Sequence, residues 1–386
     1  MKKRFEIIHN IPTPYRLYVF NEMWHYLRQR EVDFHVHFMA RWSRGRPEGW
    51  KNPRIDFPHT YWMNIGFGTH FFNPGLLLHL RICKPDWLFV GSPYDTLTSI
   101  VATWFCKAKS SRVAWCEGNA MTPGSLYGLK GKFKRAVYSH YEYAAVPGAM
   151  AVKYLQLHQD LTARKMPEPN YLPNLIDASH FQPRECWDQS EIDAVRRRLG
   201  VNDDKYLCII PARLVPVKGL MEFVSAVSAD VLSMWKVLIV GDGPLRQDLI
   251  NAIAKKGLER FVVLANFVPY SEMPLYYAAS DLFLLPSRQD MNPLSVVEAL
   301  HSGLPLALSE VVGNLCEAVS EGENGWVLPV GNTQAYVNKL REVFSASRDQ
   351  LRKMGRRSKL VNAKFWNAET SVPSFLEKMI SEREDQ

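Results

Sequence analysis

The second half of the sequence alternates short apolar runs with amphipathic stretches. The apolar runs cover residues 206–210, 236–240, 261–264, 281–285 and 304–308. The amphipathic stretch at residues 245–256 places three apolar side chains on one helical face: Leu249, Ile250 and Ile253. Strands that alternate with helices at this spacing predict a parallel sheet covered by helices on both faces.

The first half repeats the pattern more loosely, with candidate strands at residues 5–9, 34–38, 87–90, 112–115 and 144–146. Four prolines then disfavour a continuous helix or a central strand: Pro167, Pro169, Pro173 and Pro183. We therefore predict an α/β architecture of two Rossmann-like, doubly wound domains that face each other across a cleft. The expected boundaries are 1–170 for an acceptor-binding domain, 171–185 for a linker and 186–365 for a nucleotide-sugar-binding domain. A carboxyl-terminal helix at about 366–386 is expected to pack back on the first domain.

Composition adds two exclusions. The 386 residues are 47% hydrophobic and 22% charged, which excludes disordered and collagen-like classes. The six cysteines lie far apart without a Cys-x-x-Cys pair, so the sequence offers no zinc ribbon, redox pair or disulfide framework. We therefore expect a reducing, cytoplasmic setting.

The net charge of +8 is unevenly distributed. Through Pro183 the sequence carries 23 Lys and Arg against 13 Asp and Glu, so the first half is basic. Such a surface suits nucleic acid, an anionic membrane surface or a phosphate-bearing substrate. The sequence has no zinc-finger spacing and no RNA-recognition signature, which disfavours nucleic acid.

Two loops at the carboxyl ends of predicted strands carry candidate ligand-binding residues, and open parallel sheets bind ligands at this edge. Arg213 and Lys218 follow the strand at 206–210, where two cations either converge on one anion or stay solvated. Gly241 and Gly243 follow the strand at 236–240, where glycine either lets the backbone approach a ligand or only makes a turn.

The segment after the strand at 281–285 contains a helix start. Asn292 is a good helix cap, and Pro293 suits the first helical position. The free amides of Leu294 and Ser295 would then be available to an anion such as phosphate.

Two carboxylates flank this helix start. Asp290 lies just before it, and Glu298 lies about a turn and a half inside the helix. Beside a phosphate site, such a pair can hold hydroxyls of a ribose and of a sugar. Alternatively, Asp290 is only an acidic residue at the start of the helix, and Glu298 is only a solvated residue on the face of the helix.

Five segments occur in an order that resembles the carboxyl-terminal domain of the family 4 retaining glycosyltransferases: PARLVPVKG, VGDGP, FVPYSEMPLYYAASD, PSRQDMNPLSVVEALHSGLP and VVGNLCEAVSEGENGWVLP. The linker element LPNLIDASHFQP also resembles that of the family. The opening IPTPYR is similar to the acceptor-side loop of a subset of its members. The resemblance is close over most of residues 170–330 and loose in the first half. It implies the GT-B fold of two Rossmann-like domains.

By this resemblance, Arg213 and Lys218 would bind the donor diphosphate, and Glu298 would hold ribose hydroxyls. The implied donor-binding residues are Arg213, Lys218, Gly241, Gly243, Asn292, Leu294, Ser295 and Glu298. The implied acceptor-binding residues are Pro14, Tyr15 and Arg16, and the implied catalytic residues are Asp290, Glu298 and Glu117.

Two of these residues depart from the family pattern. Asp290 replaces the first glutamate of the Glu-x7-Glu pair, which shortens its reach toward the transferred sugar and leaves the identity of that sugar open. Glu117 replaces a histidine that many members carry in the loop after the fourth strand, and it would bind acceptor or sugar, or cap a turn. Because no Asp-x-Asp triplet occurs, we expect no metal, and no cofactor besides the nucleotide sugar as co-substrate.

A basic segment carries Lys130, Lys132, Lys134 and Arg135 around Phe133. It would either dock on anionic lipid beside a membrane-bound acceptor or form a solvated helix face. The first reading predicts a peripheral position at the inner face of the cell membrane.

The sequence is therefore interpreted as a metal-independent retaining glycosyltransferase. It would move a hexosyl group from a nucleotide diphosphate sugar, with UDP expected, to a saccharide or lipid-linked acceptor in surface polysaccharide or glycolipid synthesis. The alternatives are a GT-B-shaped sugar-nucleotide epimerase and a non-catalytic nucleotide-sugar-binding protein. A basic nucleic-acid-binding module would leave the series from Arg213 to Glu298 unexplained.

Overall fold

The computed structural model describes residues 2–42, 53–66, 70–105, 110–124 and 126–384. The chain forms two compact units, one of Met1–Leu175 with Asn367–Gln386 and the other of Ile176–Trp366. The boundary between Leu175 and Ile176 lies within the predicted linker of residues 171–185.

The first unit contains a parallel sheet with helices. Its strands are β1 (Arg4–His9), β2 (Asp33–Phe38), β3 (His59–Tyr61), β4 (Trp87–Val90), β5 (Ser111–Trp115), β6 (Tyr143–Val146) and β7 (Glu168–Tyr171). Its helices are α1 (Pro14–Gln29), α2 (Pro74–Cys83), α3 (Leu97–Phe105), α4 (Gly128–Tyr138), α5 (Ala149–Gln159) and α14 (Ala368–Glu384). Within the described ranges the strand order is β3-β2-β1-β4-β5-β6-β7.

The second unit repeats this plan. Its strands are β8 (Tyr206–Pro211), β9 (Trp235–Val240), β10 (Val262–Ala265), β11 (Leu282–Leu285), β12 (Leu306–Ser309) and β13 (Gly325–Leu328). Its helices are α6 (Gln189–Arg198), α7 (Leu220–Ala226), α8 (Arg246–Lys255), α9 (Met273–Ala279), α10 (Leu294–His301), α11 (Leu315–Ala318), α12 (Thr333–Phe344) and α13 (Arg348–Phe365). The strand order is β10-β9-β8-β11-β12-β13, so β8 lies between β9 and β11. The loops after these three strands are therefore neighbours at one edge, where the strand order reverses.

The ten predicted strands are all present, with ends that differ by at most two residues from the apolar runs. Three strands were missed: β3, β7 and β13. Strand β7 contains Pro169, one of the four prolines that disfavour a central strand. Strand β7 lies at the edge of the sheet. Proline has no amide hydrogen, and at an edge it does not remove a hydrogen bond between two interior strands.

Helix α8 packs on the core with a narrower face than the sequence indicated. Leu249 and Ile253 are buried, whereas Ile250 is 42% exposed. Residues four apart share a helical face, and the residue next to them points about 100° away. The prediction that Ile250 belongs to the buried face is therefore wrong.

Helix α14 returns to the first unit. The amide of Asn170 on β7 donates to the carbonyl of Phe375 at 2.9 Å, and the indole of Trp87 on β4 donates to the carbonyl of Met379 at 3.3 Å. The carboxyl-terminal segment thus covers the sheet of the first unit.

Candidate active-site residues

Five of the predicted donor-side residues lie at one edge of the second sheet. Arg213 and Lys218 follow β8, Gly241 and Gly243 follow β9, and Asp290 follows β11. Because all three strands are parallel, their carboxyl ends share this edge. The structure thus brings together the loops that the sequence motifs singled out.

Lys218 and Asp290 form an ion pair, with 2.5 Å between Nζ of Lys218 and Oδ2 of Asp290. Their side chains are only 15% and 11% exposed. The hydroxyl of Ser287 donates to the same oxygen of Asp290 at 3.1 Å. The two loops are also joined by their backbones, because the amide of Arg288 donates to the carbonyl of Val217 at 2.8 Å. Two residues that the resemblance assigned to different parts of the donor are therefore direct partners.

Helix α10 begins at Leu294, one residue later than the sequence indicated. Pro293 occupies the N-cap position with φ −70° and ψ 124°, so the prediction that Asn292 caps this helix is wrong. The side-chain amide of Asn314 donates to the Pro293 carbonyl at 3.1 Å and holds this extended turn in place. The amides of Leu294 and Ser295 lie in the first turn, where no earlier helical carbonyl can accept them.

Glu298 lies on α10 with its carboxyl group against Tyr277 of α9. The Tyr277 hydroxyl donates to Oε2 of Glu298 at 2.7 Å. Burial raises the pKa of Glu298 to about 7, although the hydrogen bond from Tyr277 acts in the opposite direction. Burial and the nearby Glu298 charge also raise the pKa of Tyr277 well above its usual value. Glu298 therefore exchanges its proton near neutral pH, which a solvated face residue would not do.

Gly241 and Gly243 have φ values of +151° and +156°. A Cβ atom at Gly241 would lie 2.0 Å from the carbonyl oxygen of Ala212, and one at Gly243 would lie 2.5 Å from that of Leu214. Both glycines thus let the loop after β9 pack on the loop that carries Arg213. Loop packing accounts for glycine at both positions, and their contact with a donor stays a prediction.

A second group of polar residues lies at the carboxyl edge of the first sheet. Arg16 is near the start of α1, Glu117 follows β5, and Asn174 follows β7. Arg16 donates from Nη2 to Oε1 of Glu117 at 2.7 Å and from Nη1 to Oδ1 of Asn174 at 2.9 Å. Asn174 donates from Nδ2 to the same Oε1 of Glu117 at 2.7 Å. One oxygen of Glu117 thus receives two charged or polar donors.

The surroundings of this group differ on its two sides. The Arg16 guanidinium lies 3.4 Å from the centre of the Trp115 ring, and the Arg16 side chain is 4% exposed. The Glu117 side chain, in contrast, is 38% exposed. Arg16 therefore presents its guanidinium to Glu117 and Asn174 inside the unit. Acceptor contacts of the half-buried Pro14 and Tyr15 stay predictions.

Two residues of these groups were missed by the motif analysis. Asn174 belongs to the linker element LPNLID and Tyr277 to the segment PLYYAASD, so both lay within recognised motifs. Their partners Glu117 and Glu298 are 57 and 21 positions away. Spacing along the chain gives no sign of such contacts.

The basic segment lies on α4, and part of it is buried. Arg135 is 8% exposed and donates to the carbonyl of Leu126 at 2.6 Å. Lys134 turns toward the aromatic residues Tyr94 and Tyr154, with its Nζ 4.9 Å from the centre of the Tyr94 ring. The expectation that Arg135 contacts a membrane is therefore wrong, because its guanidinium holds a loop.

The remainder of that segment is exposed. Lys130 and Lys132 are exposed, as are Tyr127 at 74% and Leu129 at 85%. None of the helices in the described part of the chain is both long enough and apolar enough to cross a membrane.

One group in the first unit has the composition of a metal site. Within the described residues, Glu6, His37 and His79 bring one carboxylate oxygen and two ring nitrogens within 4.8 Å of one another. His37 accepts a hydrogen bond at Nδ1 from the Trp62 indole at 3.0 Å, and its Nε2 bonds to Glu6. Because an indole nitrogen only donates, the neutral His37 ring carries its hydrogen on Nε2. Hydrogen bonds within the protein thus occupy both ring nitrogens of His37. That the reaction needs no metal stays a prediction.

Comparison with known protein families gives a match within the second unit. The family model described as Glycosyl transferases group 1 matches residues 191–361. This range contains Arg213, Lys218, Asp290 and Glu298, in the loops described above. The second unit belongs to the glycosyl transferases group 1 family. The resemblance on which the motif analysis relied is thereby confirmed.

Individual relatives match over part of their length. The 2-deoxystreptamine glucosyltransferase of Streptomyces kanamyceticus is 34% identical over 153 residues, which are 39% of this chain and 38% of that protein. The UDP-Gal:alpha-D-GlcNAc-diphosphoundecaprenol alpha-1,3-galactosyltransferase of Escherichia coli is 27% identical over 196 residues, 50% of this chain and 49% of that protein. The chain thus spans less than half the length of each of these two relatives.

Similarity to solved structures extends over both units. Anabaena Alr3699/HepE in complex with UDP and glucose matches 98% of this chain and 100% of its own, with a TM-score of 0.72 and 16% sequence identity. Likeness at this identity shows the fold. It confirms the predicted α/β class with two Rossmann-like domains, the GT-B fold, of which the group 1 domain is the second.

Proposed function

We propose that the protein transfers a hexosyl group from a UDP-sugar to a saccharide or lipid-linked acceptor, with retention of the anomeric configuration. The group 1 domain supports the transferase class. The names of the two relatives support transfer of glucose or galactose, and one of them names UDP-Gal as donor and a diphosphoundecaprenol-linked sugar as acceptor. The role would be in surface polysaccharide or glycolipid synthesis.

The observation that carries the proposal is the ion pair of Lys218 with Asp290, in which Lys218 lies on the same loop as Arg213. An ammonium group has three N–H donors, so Lys218 can keep its bond to Asp290 while it donates to a diphosphate oxygen. Arg213 is exposed, and its planar guanidinium can donate two parallel hydrogen bonds to the same diphosphate. Asp290 would then hold a hydroxyl of the sugar that is attached to this diphosphate.

Glu298 would hold the ribose of the donor. Its ionised carboxylate can accept hydrogen bonds from two neighbouring hydroxyls, and Tyr277 fixes its orientation from one side. The pKa of about 7 means that a small fall in pH removes this acceptor. Binding of the nucleotide is therefore expected to weaken in mildly acidic solution.

The transfer step would need no base from the protein. The acceptor oxygen bonds to the anomeric carbon as the bond from that carbon to the phosphate oxygen breaks on the same face. The acceptor proton passes to the departing phosphate. Arg213, Lys218 and the amides of Leu294 and Ser295 would stabilise the charge that develops there, in place of a metal ion.

The first unit would hold the acceptor. Glu117 is a partly exposed carboxylate at the carboxyl edge of that sheet, and it would accept a hydrogen bond from a hydroxyl of the acceptor or the transferred sugar. Arg16 and Asn174 would act as positioning residues, since both contact Glu117 and are themselves buried. By the resemblance of the sequence, Glu117 would take the position of the histidine that many family members carry.

We further propose a cytoplasmic protein that lies peripherally on an anionic membrane. Lys130 and Lys132 would contact lipid headgroups, and Tyr127 and Leu129 would reach the boundary below them. The proposal therefore rests on these exposed residues and no longer on all four cations that the sequence indicated.

The test is incubation of the purified protein with UDP-glucose, UDP-galactose and UDP-N-acetylglucosamine, with and without a lipid-linked saccharide. Transfer that requires the acceptor and preserves the anomeric configuration is the expected result. An epimer formed without acceptor would instead make the protein an epimerase. Binding of a UDP-sugar without turnover would make it a sensor.

A further inference from the structure

The second unit contains a cavity of about 540 Å³ at the edge of its sheet opposite to the predicted donor residues. Tyr206 is the first residue of β8, Asp281 directly precedes β11, and Pro305 directly precedes β12; all three line the cavity. Arg213 and Asp290 follow the other ends of β8 and β11. The cavity is therefore a site of its own.

Helix α13 gives this cavity a basic wall. Arg348, Arg352, Arg356 and Lys359 line it, at helical positions that recur every three or four residues and so share one face. The helix packs closely here, because a Cβ atom at Gly355 would lie 2.4 Å from the carbonyl oxygen of Gly303. This close approach brings the basic face of the helix to the cavity.

The acidic residues of the cavity are already paired. Asp281 accepts from Arg184 at 3.1 Å and from Arg196 at 3.0 Å. Glu185 is paired with Lys359. The carboxylates on the lining therefore leave the charges of the three α13 arginines that line the cavity uncompensated.

Two of these arginines have no partner within the described residues. Arg352 and Arg356 are exposed and make no hydrogen bond or ion pair there, whereas Arg348 donates to the carbonyl of Asp203 at 2.8 Å. Residues one turn apart on a helix lie about 5–6 Å from each other, which suits two oxygens of one phosphate or of a diphosphate. Trp187 and Tyr206 add an aromatic side to the cavity.

We propose that this cavity binds a phosphate-bearing group through Arg352 and Arg356. The group belongs to a free diphosphate compound or to the headgroup of an anionic lipid. A guanidinium fork binds either source through the same oxygens. The site is independent of the proposed transfer reaction.

The test compares R352Q/R356Q with the matched control K353Q/R357Q. The control removes the same charge at the same spacing from the same helix, but its exposed residues do not line the cavity. Inorganic pyrophosphate is titrated by calorimetry at physiological salt, where general electrostatic attraction is screened beyond about 8 Å. In a second arm, the proteins are mixed with phosphatidylglycerol vesicles and with phosphatidylcholine vesicles. UDP binding is measured on every variant.

We expect R352Q/R356Q to weaken at least tenfold the binding of phosphatidylglycerol, or of pyrophosphate at a site distinct from that of Arg213 and Lys218, and K353Q/R357Q to leave it unchanged. The probe that responds identifies the source of the phosphate. UDP binding should be equal in both variants. If the protein does not bind UDP, the proposed function fails, but the comparison of the two variants toward pyrophosphate and phosphatidylglycerol remains valid. Equal behaviour of the two variants toward both probes, or no binding of either probe by the wild type, would overturn the proposal.

Discussion

Arg16 donates to Oε1 of Glu117 at 2.7 Å while its guanidinium stacks 3.4 Å from the centre of the Trp115 ring. Asn174 donates to the same oxygen of Glu117 at 2.7 Å. Glu117 is thus oriented by two buried side chains before any ligand is present. Such preorganisation is what a residue needs if it is to place a saccharide hydroxyl for reaction.

The exchange N174D tests this arrangement with almost no change of shape. The new carboxylate would still accept from Arg16, but it would offer no donor to Glu117 and would bring a second negative charge beside it. A charged hydrogen bond contributes roughly 1.5–3 kcal/mol, so we expect kcat to fall about tenfold to a hundredfold. Steady-state kinetics with the lipid-linked saccharide and a UDP-sugar measure this.

Two further readouts separate positioning from folding in N174D. The affinity for UDP should stay at the wild-type value, because the donor residues belong to the second unit. E117Q should lose activity to a similar extent while its melting temperature changes little. A fully active N174D enzyme would contradict the positioning role of Asn174.

Glu298 gives the protein a predictable dependence of stability on pH. Its pKa is about 7 in the folded protein against an ordinary value of 4.5. Between these values the folded state keeps a proton that the unfolded chain has lost, so the free energy of unfolding falls as pH rises from 4.5 to 7. The substitution E298Q removes the cost of ionising this buried carboxyl group. The variant should therefore be about 1–3 kcal/mol more stable than the wild type at pH 8.

Urea denaturation at several pH values checks this expectation. Below pH 4.5 the advantage of E298Q should vanish, since the carboxyl group is then protonated in both states. The exposed Glu323 of the same unit supplies a control, and E323Q should follow the wild type throughout. A constant difference between E298Q and the wild type from pH 4 to pH 8 would speak against a raised pKa.

Membrane association depends on two cations in this account. K130E/K132E should release the protein from phosphatidylglycerol vesicles, because each cation near such a surface contributes about 1 kcal/mol, or roughly thirtyfold in partition for two. Vesicle sedimentation measures the bound fraction. The exposed pair in R164E/K165E is a control of equal charge change. Equal release by both variants would show general attraction instead of docking through α4.

Transfer activity should survive excess EDTA. The proposed charge stabilisation comes from Arg213, Lys218 and two backbone amides, and the sequence contains no Asp-x-Asp triplet. The assay is transfer from a UDP-sugar in the presence of EDTA, with and without added manganese. Complete loss of activity that manganese restores would refute the metal-free mechanism.

Much of the fold followed from the sequence because buried parallel strands are continuous apolar runs. The placement of Lys218 and Asp290 at the carboxyl edge of one sheet followed as well, since the carboxyl ends of parallel strands share an edge, but their ion pair did not. The short edge strands β3 and β7 did not follow, because an edge strand needs neither a long apolar run nor freedom from proline.

Side-chain partners were harder to predict than positions. Arg135 belongs to a basic segment that suggested an exposed surface, yet it is buried and donates to a carbonyl. Arg16 belongs to IPTPYR and is buried against a carboxylate, and its acceptor contact stays a prediction. Burial of an arginine depends on what the fold brings beside it. The contacts of Asn174 and Tyr277 belong to the same class, since each joins segments that are distant in the sequence.

The central claim is that the carboxyl edge of the second unit holds a nucleoside diphosphate through Lys218 and Glu298, with Asp290 reserved for the sugar. Calorimetry with UDP on the wild type, E298A and D290A tests it most directly. E298A should weaken UDP binding about tenfold to a hundredfold, as expected for the loss of a charged hydrogen bond. D290A should bind UDP as tightly as the wild type or more tightly, because Lys218 is released from its ion pair. A wild type that does not bind UDP, or a folded D290A that loses affinity as severely as E298A, would contradict the account.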